Sequence, residues 1–255
     1  MGVLVGKAIL ISLIVGFVTT SIKSYIDRIF LVLLMIFILK LPVTEAILVN
    51  LLVMSLASYF FYARHEAKLH ALPRGQLWGI ALLAAAGATV GRLVAIAVGA
   101  KVLAILLALY AIGVGVRLLL VKVAPPSAQR KPGPAVYPLA FGWATVTGLI
   151  SAGGKPFQVP MMVKWLKINP NQAYILASLA TLSATVGAVL TQLVVAPQAF
   201  AGVALGWVLY FFASITVIAL VVERFWTPKL QQVVSYIIGP LLILAGLRLG
   251  MTVLK

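Results

Sequence analysis

Lys155 lies in the stretch SAGGKPFQVP, residues 151–160, after two glycines and before a proline, in a chain that is otherwise overwhelmingly apolar. Gly153 and Gly154 permit backbone conformations that other residues resist. Pro156 suits the first turn of a helix, where its missing N–H leaves nothing unsatisfied. A helix N-terminus is therefore expected just after Gly154. Free backbone N–H groups and the helix dipole at such an end favour an anion. Lys155 adds a full positive charge, Gln158 can donate from its side-chain amide one turn on, and Ser151 brings a hydroxyl to the start of the break. A cation at this place is disfavoured by the dipole and, at membrane depth, by roughly 2.5–3.5 kcal/mol of insertion cost. A bound anion compensates both. The alternative is a lysine that snorkels to water from a shallower position.

The first half of the chain carries a weaker copy of this arrangement. A shift of 127 positions lays Ser24 on Ser151, Arg28 on Lys155, Phe30 on Phe157, Lys40 on Lys167 and Ala46 on Ala173. Near the ends of the halves, GVRLLL (115–120) matches GLRLGM (246–251). Ser24 and Arg28 thus join the candidate substrate contacts. Arg28 adjoins Asp27, so a local ion pair is the competing reading, and Asp27, the only acid in either break region, is the candidate proton carrier. Asn50, just inside the following helix, is expected to face the same cavity. Ser178, with Thr181 and Ser183 in SLATLSATVGAV (178–189), can line a polar path. Glu45 reads as a helix cap, where the dipole stabilises its charge. Arg92, in a long apolar run, either pairs in the interior or snorkels. Gly87 and Gly91 have the small-xxx-small spacing of close helix contacts.

The elements that must position these residues follow from composition. Of 255 residues 63% are hydrophobic and 9% charged, against about 25% charged in an ordinary globular domain. Apolar runs long enough to span a bilayer recur from end to end without the alternation of a membrane barrel. The expected class is an all-α integral membrane protein with ten helical segments, at 3–20, 25–40, 43–62, 76–98, 102–121, 136–151, 156–167, 172–195, 202–221 and 230–250. The second and seventh are too short to cross an apolar core of about 30 Å. KVAPPSAQRKPGPAVYP (122–138) is rich in proline and charge and reads as a linker. The division expected is a first transmembrane repeat at 1–121, a cytoplasmic linker at 122–135 and a second repeat at 136–255.

Charge placement orients the repeats. Loop 63–75 carries Arg64, Lys68 and Arg74, whereas its counterpart near 196–201 carries none. By the positive-inside rule the first is cytoplasmic and the second external, which makes the repeat an inverted five-plus-five with both termini outside. The chain has twenty Lys and Arg, four acids and a net charge of +16. With no domain outside the membrane to hold a basic stripe, the charges read as topological anchors rather than a nucleic-acid surface. Cysteine is absent, which excludes thiolate chemistry and disulfides. His65 and His70 read as loop residues rather than metal ligands. Four scattered acids do not converge into a catalytic group, and no nucleotide-binding motif occurs. An enzyme, a cofactor and a metal site are not expected. The expected partners are a small anion and the lipid bilayer, with homo-oligomerisation left open.

A glycine-rich break, a short helix with an early VP, a polar turn and an Ala-, Ser- and Thr-rich helix follow one another in GLISAGGKPFQVPMMVKWLKINPNQAYILASLATLSATVGAVL (148–190). LWGIALLAAAGATVGRLVAIAVGAKVLAILLALYAIGVGVRLLL (77–120) adds a Gly-Arg helix and a Gly-x-Arg ending. Over nearly its whole length the chain resembles the TauE/SafE family of sulfite and organosulfonate transporters. The resemblance implies a secondary transporter in the cell membrane, a sulfur oxyanion as substrate, and alternating access at a midplane site between the repeats. In the first half, SIKSYIDRIF (21–30) lacks the family's glycine cluster. A channel or carrier for another small solute, and a non-transporting scaffold subunit, remain the other readings.

Overall fold

The computed structural model describes residues 2–21, 29–69, 73–120, 130–203 and 205–254. Ser24, Asp27, Arg28 and His70, and with them the first-half candidate contacts, lie outside the described residues, as does most of the linker. The described chain forms α1 (Gly2–Ser21), α2 (Ile29–Leu34, continued by a π-helical turn Met35–Leu39), α3 (Val43–Leu69), α4 (Arg74–Ala97), α5 (Ala100–Leu120), α6 (Val136–Ile150), α7 (Lys155–Lys164), α8 (Pro170–Val195), α9 (Leu205–Glu223) and α10 (Pro228–Leu254). Seven of these are long and apolar enough to cross a membrane: α1, α3, α4, α5, α8, α9 and α10. The α6 helix, with 15 residues, and α7, with 10, fall short, at about 22 and 15 Å for a rise of 1.5 Å per residue.

Helix contacts obey the exchange of halves. The α4 helix packs on α6, and its counterpart α9 packs on α1; α5 and α10, which exchange with each other, form another of the principal pairs. A Cβ on Gly87 would meet the Phe141 carbonyl oxygen at 2.3 Å, and one on Gly91 the Thr145 carbonyl oxygen at 2.0 Å, so α4 and α6 run parallel with backbones touching. The α1 and α9 helices are parallel too: Ser214 donates to Ser12 at 2.8 Å, and Gly16 faces Ile218. By contrast α5 and α10 are antiparallel, because Gly115 meets Gly239 and Ile243 while Ala108 meets Gly246 and Gly250. Only an axis perpendicular to the helices exchanges two antiparallel counterparts. The repeat is therefore inverted, as loop charge predicted.

The backbone repeats at the same shift as the letters. Lys40 and Lys167 are both left-handed, with φ of 59° and 56°. Leu41 N–H bonds to Met35 O at 3.2 Å and Ile168 N–H to Met162 O at 3.1 Å; Ala46 N–H bonds to Pro42 O at 2.9 Å and Ala173 N–H to Asn169 O at 2.8 Å. Each half ends its short helix with one left-handed residue and starts its long helix immediately after. A left-handed side chain costs about 1–2 kcal/mol, partly offset for glycine by the entropy it loses on folding. Lys40→Gly and Lys167→Gly should each stabilise the protein by about 0.5 kcal/mol, read as a rise in the detergent-solution melting temperature.

The α7 helix does not carry the chain onward. Arg130 N–H, ahead of α6, bonds to Lys167 O, beyond α7, at 2.9 Å. Phe157 stacks on Trp143 at 5.0 Å. The α6–α7 pair thus enters and leaves at one end of the bundle, a hairpin where a simple count of segments has two crossings. Because a hairpin and a double crossing change sides equally, the inverted relation survives.

Candidate functional site

The turn of this hairpin, residues 151–154, is the break that the sequence marks. The residue in the left-handed region is Ser151, with φ of 52°, and no described glycine has positive φ. The expectation that the glycines supply unusual dihedrals is thus corrected. Gly154 caps α7 with an ordinary φ of −71°. Its missing side chain matters because a Cβ would lie 2.5 Å from Trp143 Cβ. Gly153 is buried, and its carbonyl accepts from the Tyr110 hydroxyl.

The α7 N-terminus lies where expected, with Pro156 in its first turn. Phe157 N–H and Gln158 N–H already bond to Gly154 O, at 3.1 and 2.8 Å, so side chains take over much of the role expected of free backbone donors. Lys155 is only 4% exposed. Its ammonium donates to Ser178 Oγ at 2.7 Å and lies 4.3 Å from the centre of the Tyr174 ring. Ser178 in turn donates to Tyr174 O at 2.8 Å, which leaves its oxygen lone pairs for the lysine. Cation–π attraction reaches about 2 kcal/mol where the cation is desolvated. The lysine is held inside the bundle; it does not snorkel. Gln158, 1% exposed, keeps its Nε2 donor without a hydrogen-bond partner among the described residues.

Asn50 is fully buried. Its Nδ2 donates to Ser151 O at 2.7 Å and to Ser151 Oγ at 2.9 Å, so a residue of the first half clamps the break of the second. Its Oδ1 has no described partner. Thr181 donates to its own helix, to Ala177 O at 2.8 Å. Arg92 is buried and donates from Nε to Gln192 Oε1 at 2.6 Å, which decides for the interior over snorkelling. Glu45 lies in the first turn of α3, two residues past its first residue Val43, where the dipole stabilises its charge without its standing at the cap position.

Of the predicted residues, the structure brings Ser151, Gly153 and Asn50 together at one end of the break, and Gly154, Lys155, Gln158 and Ser178 at the other. Tyr110, Trp143 and Tyr174 escaped sequence reading, and Phe157 entered it only as the repeat counterpart of Phe30. Tyr174 had a signal, since it precedes Ser178 by one turn and shares its helix face. Tyr110 had none: it is one aromatic in a run of Leu and Ala on a distant helix.

An inverted repeat of membrane helices, with an interrupted hairpin that buries a cation one helical turn from an unused amide donor, defines a polytopic membrane protein with buried polar groups at its break. A family model described as sulfite exporter TauE/SafE matches residues 8–249. The chain belongs to this family of multi-pass membrane transporters, which are not enzymes. Neither the search of curated proteins nor that of solved structures returned a match.

Proposed function

We propose that the chain is a secondary transporter of a small sulfur oxyanion, sulfite or an organosulfonate, in the cell membrane, and that the α6–α7 break binds it. The observation that carries this is the pairing of a buried ammonium at Lys155 with the unused Nε2 donor of Gln158 one turn away. An oxyanion accepts from both. It also offsets the cost of a buried amide donor, about 1–3 kcal/mol when unsatisfied. Asn50 and Ser151 fix the turn, and Ser178 and Tyr174 hold the ammonium. On this reading repeats 1–121 and 136–255, joined by the linker 122–135, rock about the site to expose it alternately, as inverted repeats with broken helices do.

Purified protein in liposomes tests this reading. Sulfite and a short sulfonate should accumulate against an imposed gradient, and cations and neutral solutes should not. Flux of neutral solutes at the same rate would identify a channel, and no flux of any solute a scaffold.

The sidedness is testable in the same preparation. The α4 and α8 helices are parallel, since Thr191 bonds Thr89 at 3.1 Å and Gln192 bonds Arg92. The start of α4 and the end of α8 therefore lie at opposite ends of the bundle. The chain has no cysteine of its own. Gly75→Cys should react with a membrane-impermeant thiol reagent only from the cytoplasmic side and Gln198→Cys only from outside. Labelling of both from one side would contradict the proposed orientation.

A further inference from the structure

Arg92 presents a second buried cation, far from the first. The residue is 4% exposed, in the last two turns of α4, and its Nε donates to Gln192 Oε1 at 2.6 Å. Gln192, itself 1% exposed, is fixed in turn by donation from Nε2 to Ala196 O at 2.8 Å, at the C-terminal end of α8. Arg92 Nη1 has no hydrogen-bond partner among the described residues. A guanidinium offers five N–H donors in a planar fork, and burying one at membrane depth is costly. A guanidinium serving only to join α4 to α8 would have its donors filled and its charge met by a carboxylate. Here the described partner is a neutral amide oxygen, and a donor nitrogen remains.

Helix geometry relates the two cations. Gln192 lies roughly 21 Å beyond Ser178 along α8, at 1.5 Å per residue, and within about 40° of the same face at 100° per residue. One face of α8 therefore presents the partner of Lys155 near one end and the partner of Arg92 near the other. Thr181 and Thr185, both buried, lie between them on that face.

We propose that Arg92, oriented by Gln192, is a second binding site for a small oxyanion, placed between the α6–α7 break and the end of the bundle where α4 and α8 terminate. This rests on reading the chain as an anion transporter, and it assigns Arg92 the role of a waypoint rather than a helix clamp. The anion accepts from Nη1, and its charge supplies what the neutral Gln192 does not.

Calorimetric titration of the purified full-length chain with sulfite tests it. Wild type should bind two equivalents. Arg92→Gln should bind one, with the affinity of the break site retained. Gln192→Glu is the variant expected to keep the fold: it gives up the bond to Ala196 O, but its carboxylate pairs with Arg92, so the melting temperature should not fall while the same equivalent is lost. Lys155→Gln should weaken the other equivalent about 5- to 150-fold, and Lys155→Gln combined with Gln192→Glu should leave only that weakened equivalent. If Gln192→Glu folds and binds as many equivalents as wild type, the second site is refuted and the break site stands. If Lys155→Gln binds both equivalents with wild-type affinity while Gln192→Glu loses one, the break site fails and the Arg92 site stands. Should Arg92→Gln not fold, the Gln192→Glu protein decides alone.

Discussion

Lys155→Gln should weaken sulfite binding at the break by roughly 1–3 kcal/mol, the scale of a lost charge-assisted hydrogen bond, about 5- to 150-fold in Kd. The protein should still insert and fold. Ser178 keeps its bond to Tyr174 O whether or not the ammonium is present, and glutamine can still donate to Ser178 Oγ. Removing the ammonium also removes the cost of burying it, so the melting temperature should be unchanged or higher. Lys155→Arg should retain part of the affinity, since the charge survives while a planar fork replaces a point charge. Ser178→Ala should act in the same direction with smaller effect, by freeing the ammonium from its anchor. The measurement is a sulfite titration of each purified variant beside its melting curve. An affinity equal to wild type in Lys155→Gln would place the binding site elsewhere.

Gly91→Val should damage the fold more than any substitution at the break. A Cβ at Gly91 would sit 2.0 Å from Thr145 O and 3.0 Å from Leu149 N, and backbone cannot move aside as the tip of a side chain can. Gly148, opposite, is equally closed: its Cβ would meet Ala88 O at 2.1 Å. Separating α4 from α6 to admit an isopropyl group loses packing along the whole pair. Overpacking of this kind costs about 1–3 kcal/mol and occasionally more. Because α6 leads directly into Ser151, the break should shift with it. Gly142→Ala, on the same helix α6 with open space around its Cβ, should be neutral or mildly stabilising, given the helix propensity gained. Melting temperature and monodispersity in detergent check both. A Gly91→Val protein as stable as Gly142→Ala would mean that α4 and α6 are not in backbone contact.

Helix positions were legible because each apolar run ends at local breakers. The run expected at 172–195 is α8 (Pro170–Val195), started by Asn169, whose side chain accepts from Asn171 N–H. The start of α7 was legible for the same reason, from two glycines and a proline. The inverted relation was legible from charge, because arginine and lysine are costly to translocate and so record the side on which a loop remained.

What faces what was not legible. In a bilayer the lipid-facing and the bundle-facing sides of a helix are both apolar, so hydropathy periodicity carries little information about packing. The two faces carry the same residue types: Leu82 and Leu109 are more than 60% exposed, while Ile80 and Leu107, on the same two helices, are fully buried. The contacts that make the site are lateral ones between distant segments. Asn50 reaches Ser151, Tyr110 reaches Gly153, and Lys155 reaches Ser178 and Tyr174 only once the helices have associated. The same holds for the turn itself. The sequence of residues 151–154 determined that the helix must break, since local backbone chemistry suffices for that. That α7 folds back beside α6 was decided by the tertiary structure, through the stacking of Phe157 on Trp143 and the bond of Arg130 N–H to Lys167 O, neither of which exists until both helices are in place.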